Sequence, residues 1–256
     1  MVSEYVFNVL VKAMFGMAAI VFICLYFVNA GYGKFHTKAW GWSVGNKLGW
    51  VLMEAPALFM MFVIWQMTGG STHQPEVMFL TLFEFHYFQR SFIFPLLMKG
   101  CSRMPVTIVL MGAVFNILNG ILQGGTLFWF PNPAFEEGMG YLLREHVLVG
   151  ILLFVAGLCI NWHSDHVIRH LRKPGDTRHY LPRDGIYRYV TSANYLGEIL
   201  EWTGYALAVA TPAAWVFPVW TAANLVPRAH AIHRRYCEEF GKEQVGRRKR
   251  IIPFIY

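Results

Sequence analysis

Few ionisable or amide side chains lie inside the apolar runs of this chain, and those few fall into register. Glu54 sits in the stretch Met53-Glu54-Ala55-Pro56 with no basic residue at helical spacing on its own segment. A carboxyl removed from water holds its proton more readily, and kept neutral it donates a hydrogen bond to a carbonyl. Glu84, Tyr87 and Arg90 recur at intervals of three, so on a helix they form one stripe that should face a bundle interior. Asn194 and Glu198 share a face, as do Asn161, Asp165, Arg169 and Arg172. Donors such as Glu54 and Tyr87 suit a reaction that builds negative charge on a carbonyl oxygen, as hydride reduction of a conjugated enone does. Asn116, Asn119, Gln123 and His86 read as hydrogen-bonding glue between helices, while Glu84 and Glu201 stand level between function and structural pairing. His163, His166 and His170 alternate with Asp165 at helical spacing, yet nothing completes a ligand triad, so no metal is expected.

The elements that position these residues follow from composition. The 256 residues are 55% hydrophobic, 16% aromatic and 14% charged, against about 25% charged in an ordinary soluble domain. Scanning for runs long enough to cross a bilayer gives seven, at 6–29, 50–67, 78–97, 104–130, 141–160, 195–211 and 213–226. The first lacks a small-residue cleavage site and reads as a retained helix. The expected fold is an all-α integral membrane protein, a seven-helix bundle in a single domain over 1–256. Of the 22 basic residues, 19 fall in the first, third and fifth loops and the C-terminal segment, which places those parts in the cytosol and the N-terminus outside. The net charge of +7 is therefore a topology signal and an attraction to anionic lipid, with no nucleic acid as partner. The fifth loop is denser than topology needs, its cations interleaved with His, Asp and Tyr as around an anionic small molecule. Cys24, Cys101, Cys159 and Cys237 are scattered and suggest no disulfide framework. No internal repeat and no glycine-rich phosphate loop occurs.

Four stretches carry a family resemblance: 159-CINWHSDHVIRHLRKPGD-176, 193-ANYLGEILEWTGYAL-207, 228-RAHAIHRRY-236 and 252-IPFI-255. Upstream stand 31-GYGK-34, Glu54 followed by Ala55-Pro56, 86-HYFQRSF-92 and 119-NGILQG-124. Together they resemble the steroid 5α-reductase family over nearly the whole chain. The resemblance implies a seven-helix membrane enzyme, its cytosolic loops capping a nucleotide site, that moves hydride from NADPH to the 4,5 double bond of a 3-oxo-Δ4-steroid. It implies that Glu54 and Tyr87 meet the substrate carbonyl. It further implies that Asn161, Asp165, Arg172, Asn194, Glu198, Arg228 and Tyr236 contact the cofactor, that Arg90 belongs to the same region, and that Tyr32 and Lys34 border the nucleotide. The chain departs from the family pattern at Met53, Tyr180 and Ile232, where the pattern has Gln, Arg and His.

On this reading the phosphates lie against Arg172 and neighbouring cations, Asn194 and Glu198 direct the nicotinamide inward, and the steroid enters a monomer sideways from the lipid. The membrane is a bacterial inner membrane or the endoplasmic reticulum, since both keep positive loops cytosolic. A trans-2-enoyl-CoA reductase and an isoprenylcysteine methyltransferase-like enzyme are the alternatives. A transporter would show broken helices at matching positions in two halves, and the sequence has none.

Overall fold

The computed structural model describes residues 2–28, 31, 35, 37, 40–99, 102–171, 178 and 180–256. Tyr32, Lys34 and Arg172 lie outside them. Helix α1 (Glu4–Phe27) opens on Ser3, whose hydroxyl accepts the Val6 N–H. Helix α2 (Asn46–Met67) carries Pro56 in its interior, which removes the donor owed to the Leu52 carbonyl. Helix α3 (Gln74–Phe88) passes through a π-helical turn, Gln89–Ile93, into the short α4 (Phe94–Leu97). Helix α5 (Val106–Phe128), the short α6 (Met139–Leu142), α7 (Glu145–His170), α8 (Ala193–Val209), α9 (Pro212–Phe240) and α10 (Lys242–Val245) complete the chain.

Helices α1, α2, α5 and α7 are each long and apolar enough to cross a membrane, and the chain is a largely helical membrane protein. Two features depart from the sequence expectation. Strands β1 (Ser43–Gly45) and β2 (Arg103–Pro105) pair antiparallel, Val44 opposite Met104, and tie the first loop to the third. Helix α9, expected to leave the membrane at 226, runs on through Pro227 to Phe240, so its second half projects beyond the apolar stretch.

The tightest packing is between α7 and α8, and two glycines permit it. A Cβ on Gly157 would lie 2.3 Å from the Glu201 nitrogen, and one on Gly197 would lie 2.5 Å from the Asn161 nitrogen. Backbone meets backbone there, the small-residue contact typical of membrane helices. It sets Asn161 and Asp165 of α7 beside Asn194 and Glu198 of α8. Helix α7 continues past the apolar run that ends at residue 160 as an unbroken helix to His170. Ala210, in the left-handed region at φ 55°, and Thr211, whose hydroxyl accepts the Ala214 N–H, turn α8 directly into α9.

Candidate active site

Tyr87 lies in an aromatic wall, its ring 4.6 Å from that of Phe83, 5.9 Å from Trp202 and stacked on Phe217 at 6.2 Å. It is 2% exposed, so its hydroxyl needs partners from the protein. Two asparagines one turn apart on α5 provide them. The hydroxyl donates to Asn116 Oδ1 and accepts from Asn119 Nδ2, each at 3.0 Å. Asn116 Nδ2 in turn donates to Glu54 Oε2 at 3.1 Å and to the Met53 carbonyl at 2.7 Å. Glu54 and Tyr87 are thus joined through one amide. Asn119 Oδ1 accepts from Gln123 Nε2 at 3.4 Å, which also reaches the Ala213 carbonyl at 3.3 Å.

The sequence reads Asn116 and Asn119 as ordinary glue, and glue they are, but what they hold is the carboxyl and phenol singled out for chemistry. Their spacing of three, facing a stripe of the same spacing on α3, is the signal that could have found them. Trp202 and Phe217 carry no such signal, because an aromatic in an apolar run looks the same whether it lines a site or only a core.

Arg90 is the hinge between this pair and the polar ends of α7 and α8. Its guanidinium donates to Asp165 Oδ2 at 3.2 Å and to Glu198 Oε2 at 3.4 Å, and lies 4.8 Å and 4.5 Å from the ring centroids of Trp50 and Phe94. Arg90 is 8% and Asp165 7% exposed, so removal of the arginine would leave carboxylates facing each other in a dry site. Beside them Asn161 Nδ2 donates to the Asn194 carbonyl at 3.0 Å, and the Tyr187 hydroxyl donates to Asn194 Oδ1 at 3.3 Å. Burial first, then the charge of Asp165, push the Tyr187 hydroxyl well above its ordinary range, so it remains a donor to Asn194. Tyr187 lies on the 3-10 turn Gly185–Arg188 and the sequence gives no periodic reason to choose it.

Arg228 and Tyr236 stand on the projecting half of α9. Arg228 Nε donates to the Tyr195 hydroxyl at 2.9 Å, which brings it next to Asn194 in sequence. Tyr236 is buried against Leu181 and Val245. Glu84, the third member of the α3 stripe, is half-buried with Oε1 unpartnered, while Glu201 pairs with His86, Nδ1 to Oε1 at 2.7 Å. The His166 and His170 rings lie 3.9 Å apart, tilted by 31°, and among the described residues no group of three or more His, Cys, Asp or Glu is placed to hold a metal. A cavity of about 300 Å³ at the N-terminal end of α1, among Glu4, Asn8, Thr126 and Thr211, is lined by neither Glu54, Tyr87, Arg90, Asp165 nor Glu198.

A carboxyl and a phenol held by amides in an aromatic wall can direct donors at a carbonyl oxygen. One turn away stand a guanidinium, two carboxylates and two further amides, a set suited to a polar ligand bearing hydroxyl, carboxamide and phosphate groups. The 3-oxo-5-alpha-steroid 4-dehydrogenase family profile matches residues 102–256. The steroid 5-alpha-reductase of Gossypium hirsutum is 34% identical over 99% of both chains. The 3-oxo-5-alpha-steroid 4-dehydrogenase 1 of Bos taurus is 34% identical over 93% of each, and that of Homo sapiens 36% identical over 89% of this chain and 87% of its own. Similarity of that extent, carried through the elements that hold Glu54, Tyr87, Arg90 and Glu198, makes this chain a member of the steroid 5-alpha-reductase family of oxidoreductases.

Proposed function

We propose that the chain is an NADPH-dependent reductase of the 4,5 double bond of 3-oxo-Δ4-steroids, with Glu54 and Tyr87 at the substrate carbonyl. The observation that carries this reading is the bridge of Asn116 between Glu54 Oε2 and the Tyr87 hydroxyl, against an aromatic wall. When bound, NADPH would supply a hydride, and with it both electrons, for carbon 5 of the enone. Glu54 and Tyr87 would donate to the negative charge that then develops on the carbonyl oxygen, and one proton taken up at carbon 4 completes the gain of two hydrogens. Donors fixed in a dry site need no reorganisation at that moment and are worth more than in water.

The donor set on the π turn after α3 and on α7, α8 and α9 fits the cofactor. Asn161 and Asn194 match a carboxamide, Asp165 and Glu198 match hydroxyl and amide donors, and Arg90 and Arg228 match phosphate oxygens. Tyr236 lies further along the same projecting helix. Tyr32, Lys34 and Arg172 join this site by family resemblance.

In this reading α3 with its π turn, α8 and the first half of α9 are the remaining three of seven spans. Each carries polar residues turned to the bundle, which lowers its apolarity without exposing charge to lipid. The N-terminus lies outside and the C-terminal segment in the cytosol of a bacterial or endoplasmic reticulum membrane. The chain works as a monomer of one domain, and the steroid enters from the lipid.

The test is incubation of purified protein with NADPH and a panel of 3-oxo-Δ4-steroids, followed by mass spectrometry. A product heavier by two hydrogens, with matching NADPH consumption, is the expected result. No such product with any steroid enone overturns the assignment.

A further inference from the structure

Outside the site above, a group of basic residues lies where the C-terminal segment returns to the end of α1. That segment is tied to the entry of α8: the Lys249 N–H donates to the Tyr189 carbonyl at 2.8 Å, and the Thr191 and Ser192 N–H groups donate to the Lys249 and Arg250 carbonyls at 2.9 and 3.0 Å. Ile251, 2% exposed, plugs it into the body. Beyond Ile251 the chain curls back, the Ile251 and Ile252 N–H groups both donating to the Tyr256 carbonyl at 2.8 Å, with Phe254 in the left-handed region at φ 66°. For a residue with a side chain that region costs on the order of 1–3 kcal/mol, and here no burial of the side chain offsets it. The turn instead throws Phe254 and Ile255 outward, 78% and 75% exposed.

The height of this tip is set by a contact with a spanning helix. The Tyr256 hydroxyl lies 3.5 Å from that of Tyr26, one residue before the end of α1. Phe254 and Ile255 are therefore held beside the point where α1 leaves the hydrocarbon, where tyrosines and exposed apolar residues meet the bilayer interface.

Behind the tip stand two arginines and two histidines, with Glu238 as an exposed partner of Arg234. His230 and Arg234 stand one turn apart on the projecting half of α9, the His230 ring 5.8 Å from Tyr26. Arg250 lies over the Tyr256 ring at 4.8 Å, and its Nε is buried without a hydrogen-bond partner. Burial, then Arg250 and Arg234, hold His230 below its ordinary range; burial, then Arg250, His230 and Arg248, do the same for His233. The one described ion pair of Arg234, to Glu238 at 3.8 Å, is exposed on both sides, the kind that contributes little. The arginines disfavour a proton on either histidine, and the buried Arg250 Nε–H has no acceptor, so an anion placed among them would be attracted by the guanidinium groups and would accept that N–H.

We propose that Arg250, with His230 and Arg234, binds the headgroup phosphate of an anionic membrane lipid, while Phe254 and Ile255 insert beside its acyl chains. A lipid suits the site better than a free anion because the apolar tip and the Tyr26–Tyr256 contact place the cations at the membrane surface, where anionic leaflets attract basic segments. The lipid would steady the bonds that the Thr191 and Ser192 N–H groups donate to the Lys249 and Arg250 carbonyls, two residues before Asn194. The proposal uses neither steroid nor NADPH and stands independently of the reductase reading.

The test is made on the whole chain in lipid nanodiscs of phosphatidylcholine, with and without phosphatidylglycerol. The thermal midpoint should rise by about 2–4 °C with phosphatidylglycerol, and the Arg234→Gln, Arg250→Gln double variant should lose that rise. Should the double variant fold poorly, Arg234→Gln alone, at an exposed position, should lose part of it. A fluorophore on Phe254→Cys, in a chain whose native cysteines are serine, should be quenched by brominated lipid. An undiminished rise in the variants, the same rise produced by inorganic phosphate in pure phosphatidylcholine, or an unquenched label would each overturn the proposal.

Discussion

The Tyr87 hydroxyl donates to Asn116 Oδ1 at 3.0 Å, so in this structure the proton proposed for the substrate carbonyl is already engaged. Asn119 Nδ2 donates to the Tyr87 hydroxyl oxygen and fixes which way the hydroxyl can turn. A carbonyl arriving beside Tyr87 must take the place of Asn116 as acceptor, while the bond from Asn119 persists. The amides therefore divide the work: Asn119 keeps the phenol oxygen in place, and Asn116 holds its proton until substrate competes for it.

Asn119→Leu should accordingly lower kcat by about 10- to 100-fold, the scale of one buried hydrogen bond of about 1–3 kcal/mol. The KM for NADPH should change little, because Asn119 contacts none of the residues around Arg90. Steady-state kinetics with both substrates varied would check it, and a selective rise in the NADPH KM would contradict the positioning role.

The His86–Glu201 pair is a buried polar contact between α3 and α8, 4% and 0% exposed. Breaking one side leaves a buried polar group unpaired, whereas replacing both removes the need. His86→Leu and Glu201→Leu should each lower the thermal midpoint, and the double variant should be less damaged than the sum, with a coupling of about 1–3 kcal/mol. Strict additivity would mean that the two side chains act separately.

Much of this site is legible in the sequence because a helix repeats its faces. The stripe of Tyr87 and Arg90, the face of Asn194 and Glu198, and the polar extension after Ile160 all follow from spacings of three and four, and the family resemblance rests on those same residues. What periodicity cannot supply is the partner across an interface. Nothing in one helix says that Asn116 meets Glu54, or that Gly157 and Gly197 let two backbones touch. Nor does it announce the π turn at Gln89–Ile93 or the three-residue strands, which arise from packing between segments far apart in sequence.

Gly157→Ala tests that packing directly. Its Cβ would meet the Glu201 backbone nitrogen at 2.3 Å, and backbone cannot rotate away as a side chain tip can. Helices α7 and α8 must part, at a cost of about 1–3 kcal/mol for overpacking. The thermal midpoint should fall and NADPH binding should weaken with it, since Asn161 and Asn194 ride on the two helices; an alanine with unchanged binding would show that their close approach is not needed.

Glu54 separates the donor role from its rivals. A glutamine keeps a donor of similar shape, so Glu54→Gln should retain part of the activity, while Glu54→Leu, with no donor, should lose about 10²–10³ in kcat as for other oxyanion-type donors. The bond from Asn116 Nδ2 to Glu54 Oε2 sharpens the comparison, because the glutamine carbonyl can still accept it and leave the amide group free to face the substrate. Leucine breaks that bond as well, and part of its effect should reach Tyr87 through Asn116. If Glu54 instead worked as an ionised base or a counter-charge to Arg90, glutamine and leucine would be equally damaging and the thermal midpoint would drop in both. Measuring kcat, midpoint and NADPH affinity for the two variants decides the matter, with unaltered NADPH binding as the sign that each has folded. Equal loss in both, with a lowered midpoint, would defeat the donor role.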